Sequence, residues 1–291
     1  MKPSFPLLAL ACLLCCSCGS GWKLYTAHEF NDSDTRNGFP LGFEEQKGGT
    51  VNRDAKVDVD RCVFVKDGIL HIKAYHLDTL IDNGYGKQVE YIQGAIRSAS
   101  KDNPEFWCTF TENMRIEVRA RRDAVTGIND AIWFMPNAKI KWPAGGEIDL
   151  LENPKKKVNN RAHFTLHSEN YHTGGDKNNS VSAITKVEDM SDWNTYWMEW
   201  YPDKIIGGVN DTAYFEHHYG DAGNTDWPWS NPEGFYLILS RGLSTDPNRW
   251  MGAVDPSTWP AGDGPSMDID WIRVYKNRKY KGAKAPKVKY Y

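Results

Sequence analysis

The sequence predicts an antiparallel β-sandwich. Segments that alternate apolar and polar residues recur along the chain, glycine-containing turn pairs punctuate them, and amphipathic helical patterns longer than three turns are absent. Residues 68–74, 114–120, 162–167 and 267–275 each show the two-residue period of a half-buried strand. In the second of these, Met114, Ile116, Val118 and Ala120 share one face, and Arg115, Glu117 and Arg119 share the other. Asp67-Gly68, Asn83-Gly84, Gly174-Gly175 and Gly207-Gly208 read as turns between strands. No composition break or low-complexity linker interrupts residues 24–277, which are therefore expected to form one domain.

The chain has 291 residues, 40% apolar and 25% charged, which excludes global disorder. A formal charge of −3 gives no reason to expect a nucleic-acid partner. The unusual figure is 12 Trp. Such aromatic content either fills a sandwich core or offers flat apolar faces to sugar rings.

Residues 1–17 carry a single charge, Lys2, followed by an apolar run at 7–16 that is too short to span a bilayer. The pattern resembles a bacterial lipoprotein signal. Cys18, between Ser17 and Gly19-Ser20-Gly21, is the expected lipidation site, with Cys16 as second choice. Residues 18–23 would be a short tether, and the domain would sit at the cell envelope, lipid-anchored and monomeric. Residues 278–291 form a basic tail, expected to be a solvated end. Cys62 and Cys108 remain within the domain, either paired or as two buried thiols.

The chemistry concentrates in Trp142-Pro143-Ala144-Gly145-Gly146-Glu147-Ile148-Asp149-Leu150-Leu151-Glu152-Asn153. On a regular strand Glu147 and Asp149 share a face. Glu152, five residues after Glu147, would point the other way unless one β-bulge near Leu150-Leu151 returns it to the same side. Carboxylates gathered on one face repel one another and raise some of their pKa values, which costs stability and so suggests function. Glycoside hydrolysis is the chemistry most in need of such a pair, the alternative being three ordinary surface acids on an edge strand.

This segment resembles the signature of glycoside hydrolase family 16, E-[apolar]-D-x-x-E preceded by W-P-A-x-G. Other stretches follow the family's order: His28-Glu29-Phe30-Asn31, Ala131-Ile132-Trp133-Phe134-Met135-Pro136, Glu199-Trp200-Tyr201-Pro202-Asp203-Lys204-Ile205, Phe235-Tyr236-Leu237-Ile238-Leu239 and Asp268-Ile269-Asp270-Trp271-Ile272-Arg273-Val274-Tyr275. The resemblance implies a β-jelly roll with a substrate cleft on its concave sheet, and endo-acting hydrolysis of a β-linked polysaccharide with retention. Carried over by position, it makes Glu147 the nucleophile, Glu152 the acid/base and Asp149 their modulator. It puts Trp133 and Trp142 at the cleft as sugar platforms, with core packing an even alternative for each. His167 would bond a sugar hydroxyl or Glu152, or serve as a structural histidine. Trp197 and Trp200 face opposite sides of one strand, so one of them belongs to the core.

Two stretches depart from the laminarin-cleaving pattern. Gly42-Phe43-Glu44-Glu45-Gln46 lacks its Trp and Tyr pair, and Ser240-Arg241-Gly242 replaces its N-x-A-V-G-G. Arg241 is accordingly expected at the substrate. The departures tilt the expectation slightly from β-1,3(4)-glucan towards β-galactosyl bonds in mucin- or keratan-like glycans. The competing class is a non-catalytic sugar-binding module on the same fold, which would have no need of Glu147 and Glu152 at this spacing. No cofactor is required by this chemistry. Relatives of the fold carry a structural Ca²⁺, but no ligand loop for it is evident in the sequence.

Overall fold

The computed structural model describes residues 21–47, 53–123, 125–154, 160–171, 181–223, 225–260, 263–277 and 279–280. The signal segment, Cys18, the Gly174-Gly175 pair and nearly all of the basic tail lie outside them. Among the described residues no helix is long and apolar enough to cross a membrane.

Two stacked sheets make the jelly-roll sandwich. The larger runs Thr212–His218, Lys204–Val209, Asn194–Trp200, Met114–Arg122, Ser266–Asn277, Ile69–Asp82, Gln88–Gln93 and Lys56–Val57. Trp22–His28 pairs additionally with Ser266–Asn277, and Val63–Lys66 with Ile69–Asp82. The smaller, here the cleft sheet, runs Val181–Lys186, Arg161–His167, Glu147–Glu152, Ile128–Pro136, Phe235–Leu243, Ala95–Ser98 and Phe43–Glu45. All pairings are antiparallel except the short one between Lys56–Val57 and Gln88–Gln93. The four segments with alternating sequence fall in strands, the first of them from Ile69 onward, after Gly68 has turned the chain.

The alternation decides what is buried. Met114, Ile116 and Val118 enter the core between the sheets, where they meet Ile132, Phe134, Ile148, Phe164 and Leu239 from the cleft sheet. Each such side chain contributes about 1.5–3 kcal/mol when fully buried. Trp200 is a core residue, whereas Trp197 lies on the outer face with the Arg115 guanidinium 4.2 Å from its ring centroid. Cys62 and Cys108 are buried free thiols, and burial pushes the Cys108 thiol up to about 12.

One predicted turn is not a turn. Gly207-Gly208 lies inside the strand Lys204–Val209. The reason is aromatic packing. A Cβ on Gly207 would sit 2.3 Å from Cδ2 of Phe164, and one on Gly208 2.2 Å from Cζ2 of Trp197. The glycines are there because rings cover the strand, not because the chain reverses. Phe164 is itself stacked on Phe215, with centroids 4.3 Å apart, so it has little freedom to retreat. Gly207→Ala is expected to cost about 1–3 kcal/mol, the usual penalty for overpacking. An unchanged denaturation midpoint would contradict this account.

Candidate active site

The strand Glu147–Glu152 lies near the middle of the cleft sheet, between Ile128–Pro136 and Arg161–His167. Gly146, at φ +83°, opens it; a Cβ there would press 2.9 Å from Cγ of Pro228 and would also need a backbone conformation that L-residues avoid. The register against Ile128–Pro136 shifts between Ile132 and Trp133, and that against Arg161–His167 between Asp149 and Glu152. The shift is a β-bulge at Leu150-Leu151. Both leucines are buried in the inter-sheet core, so two consecutive residues take the inward side. Glu152 is thereby returned to the face of Glu147 and Asp149, and all three carboxyls line one pocket of about 250 Å³.

Each carboxyl is held by particular neighbours. The Trp142 indole N–H donates to Glu147 Oε2, and the Trp229 indole N–H holds the Glu147 carbonyl at 3.1 Å. His167 pairs in register with Glu147, and its Nε2 lies 3.1 Å from Asp149 Oδ2. Asn129 donates from Nδ2 to Glu152 Oε1 at 3.0 Å, and its Oδ1 accepts from the Asn153 N–H at 2.9 Å. The Asn153 bond fixes the orientation of the Asn129 amide, so the group facing Glu152 is a donor. A donor at Oε1 favours the carboxylate form on that oxygen and leaves Oε2 to carry any proton.

Burial pushes all three carboxyls up. Glu147 rises to about 8, first through loss of solvation and then through the charge of Asp149, against the opposing pull of His167 and the Trp142 hydrogen bond. Glu152 rises to about 7 through burial, with Asn129 opposing and the Glu147 charge adding. Asp149 is held well above the usual carboxylate range by burial and by the charge of Glu152. A hydrogen bond joins Asp149 to Glu147, which requires one proton between them. The Trp142 donor favours negative charge on Glu147, whereas the hydrogen bond with Asp149 raises Glu147 and lowers Asp149. Glu147 and Glu152, raised to about 8 and about 7, can thus hold one charged and one protonated glutamate together.

This arrangement makes stability depend on pH. The raised folded-state values of Glu147 and Glu152 mean that the folded chain binds more protons than the unfolded chain between about pH 4.5 and 8. Stability from this source is full at the acid end of that window and is lost as pH rises through it. Glu147→Gln removes its share of the loss. The variant should therefore gain on the parent protein as pH rises from 5 to 8, by on the order of a few kcal/mol, and the gain should level off above that. Paired denaturation curves at several pH values check this, and a pH-independent difference would refute it.

The other site residues expected from the sequence divide. Trp142 is 39% exposed beside Glu147, with its ring centroid 6.0 Å from that of His167. Trp133 faces the cleft but is only 7% exposed, with its N–H on Ser240 Oγ at 3.0 Å, so it forms floor rather than a free platform. His167 meets Asp149 rather than Glu152. Arg241 is a correction. It is fully buried and lies opposite Asp130 in register, on the core side of its strand. Ser240 and Gly242 face the pocket, so the residue between them must face inward. There its Nη1 lies 3.0 Å from Asp130 Oδ1, while Arg122 Nη1 donates to Asp130 Oδ2 at 3.2 Å. A buried ion-pair cluster, not the substrate, accounts for Arg241. Glu44, at the edge of the cleft sheet, is engaged by Arg97 at 2.7 Å.

Asn129, Trp229 and the segment Arg249-Trp250-Met251, which lines the pocket, carry no motif that would have singled them out. The Asn129–Glu152 bond spans 23 residues and the Trp229–Glu147 bond 82, so no local pattern announces either. Among the described residues no group of three or more His, Cys, Asp or Glu side chains could hold a metal ion.

The sequence model for glycosyl hydrolases family 16 matches residues 79–273. A keratan-sulfate endo-1,4-beta-galactosidase of Sphingobacterium multivorum is 32% identical over 197 residues, covering 66% of this chain and 42% of the relative. A beta-glucanase of Rhodothermus marinus is 30% identical over 181 residues, covering 56% of this chain and 57% of the relative. The chain therefore spans about half the length of these two curated relatives. Among solved structures, a non-specific endo-beta-1,3(4)-glucanase, SCLam, superposes with a TM-score of 0.71 at 27% identity, covering 89% of this chain and 92% of that one. The laminarinase catalytic domain of Thermotoga maritima gives 0.69 at 25%, covering 88% and 98%.

Proposed function

The chain belongs to glycosyl hydrolase family 16, and from that premise we propose that it is an endo-acting, retaining glycoside hydrolase for β-linked glycans. The observation that carries this reading is the bulged strand that gathers Glu147, Asp149 and Glu152 on one face of a cleft. In the proposed reaction Glu147 attacks the anomeric carbon while Glu152 protonates the departing glycosidic oxygen. Glu152 then takes a proton from the water that releases the sugar from Glu147. Asp149 modulates Glu147 through the hydrogen bond between them. A retaining pair works with its carboxyl groups about 5–5.5 Å apart.

Within this class we assign the bond cleaved as β-galactosyl. The 32% identity to a keratan-sulfate endo-galactosidase supports it, as do the departures from the laminarinase pattern at Gly42-Phe43-Glu44-Glu45-Gln46 and at Ser240 and Gly242, which line the pocket. A β-1,3(4)-glucan substrate is the second reading, supported by the structural likeness to SCLam over 89% of the chain. Incubating the soluble domain with keratan sulfate, mucin O-glycans, laminarin and mixed-linkage glucan, and sizing the early products, separates the two. Oligosaccharides from galactose-containing glycans support the first reading, and oligosaccharides from glucans alone support the second. Monosaccharide as the sole product rejects endo action, and binding without cleavage of any of the four returns the sugar-binding reading.

The same proposal includes lipidation at Cys18 and a cell-envelope location. Cys18→Ala is the test, with retention of the variant in the membrane fraction the result that rejects it.

A further inference from the structure

Arg241 is buried in the core, but a different arginine reaches the cleft. Arg249 lines the pocket that holds the three carboxyls, beside Trp250, which is 52% exposed. The reaction proposed above has no use for it.

Its loop is a built structure. Asp54, 7% exposed, accepts from the Thr245 N–H at 3.1 Å, from Ser244 Oγ at 3.3 Å and from Lys87 Nζ at 2.6 Å. Ser244 Oγ in turn accepts from the Asp246 N–H at 3.0 Å. The Arg249 N–H donates to the Asp246 carbonyl at 3.2 Å, and its own carbonyl accepts from the Gly252 N–H at 2.9 Å. The backbone at Arg249 is thus fixed on both sides, while its side chain is exposed and makes no ion pair or side-chain hydrogen bond among the described residues. Its charge lowers the pKa of Asp54.

Charge explains what such a group does there. A cleft floored by three carboxyls repels a negatively charged glycan. The other residues lining it, among them Asn129, Ala131, Ser240 and Gly242, are neutral, so Arg249 is its one cation among the described lining residues. A guanidinium matches a tetrahedral or planar oxyanion with two parallel donors, and Trp250 beside it offers an apolar face for a sugar ring. We infer that Arg249 is a specificity residue that binds an anionic substituent, a sulfate ester or a carboxylate, on the glycan in this cleft. The substrate class is thereby narrowed to acidic glycans. The inference rests on the hydrolase reading of the same pocket.

The test compares matched oligosaccharide pairs: keratan sulfate fragments before and after chemical desulfation, and sialylated poly-N-acetyllactosamine chains before and after desialylation. The parent protein, Arg249→Ala and Arg249→Lys are assayed on each pair. The ratio of kcat/KM for the charged member to that for the uncharged one should fall about ten- to a hundredfold in Arg249→Ala, mainly through KM. Arg249→Lys should restore part of it. The pair that responds tells sulfate from carboxylate. An unchanged ratio in both pairs overturns the inference. If the parent protein cleaves no member, the hydrolase reading has failed separately, and calorimetric binding of the same pairs to the parent and Arg249→Ala proteins then decides. Loss of preference for the charged member in the variant supports the role of Arg249, and equal or no binding of both members by the parent overturns it.

Discussion

Glu147→Gln is expected to abolish the covalent step on every substrate, lowering kcat roughly ten-thousandfold, the scale of removing a nucleophile. Glu152→Gln should behave differently. Its loss should depend on the leaving group, reaching about a hundred- to ten-thousandfold for natural glycans that need protonation. An activated aryl glycoside needs little protonation, so it should still form the glycosyl-enzyme and then stall, because no base activates water. Azide needs no base. It should rescue Glu152→Ala to a β-glycosyl azide and Glu147→Ala to the α-anomer, as read by NMR of the products. Exchanged anomers would reverse the two roles, and full activity of either Gln variant would remove the pair from the mechanism.

Asp130→Asn is expected to give the largest loss of stability in the molecule, about 3–5 kcal/mol. Asp130 and Arg241 are fully buried and Arg122 is 4% exposed, so one carboxylate stands between two guanidiniums away from water. Removing its charge strands both cations in a medium that cannot solvate them. The cost belongs to the broken cluster, not to its polarity as such. The combined change Arg122→Met, Asp130→Leu, Arg241→Met should therefore be more stable than Asp130→Asn alone, because apolar residues of similar volume leave no charge to compensate. Chemical denaturation of the set checks both statements. A midpoint within about 1 kcal/mol of the parent for Asp130→Asn would show that water reaches the cluster. If Asp130→Asn does not fold, the triple variant still tests the argument.

These two predictions draw on different amounts of the sequence. The catalytic strand is legible because its information is local. Alternation places Glu147 and Asp149 together, and the odd spacing to Glu152 calls for one bulge, which the two core-facing leucines provide. Met114–Arg122 is legible for the same reason, since its apolar residues alternate without a break. Gly207-Gly208 misleads because a glycine pair is a turn signal locally, whereas here it answers to rings supplied by Phe164 and Trp197.

Arg241 misleads more instructively. The change of residue type at Ser240-Arg241-Gly242 is visible in the sequence, but the face on which the arginine lands is set by Ser240 and Gly242 turning to the pocket and by Asp130 waiting across the strand pair.

The sequence by itself determined the sheet architecture, the family and the identity of the three clustered carboxyls, because side-chain alternation and residue spacing act within a few residues of chain. Only the tertiary structure decided which groups tune those carboxyls and which arginine meets the cleft. Asn129 reaches Glu152 across 23 residues, Trp229 reaches the Glu147 carbonyl across 82, and Arg249 arrives on a loop tied to Asp54. Desolvation, which does most to raise the carboxyl pKa values, is a property of the surrounding fold and not of the strand that carries them.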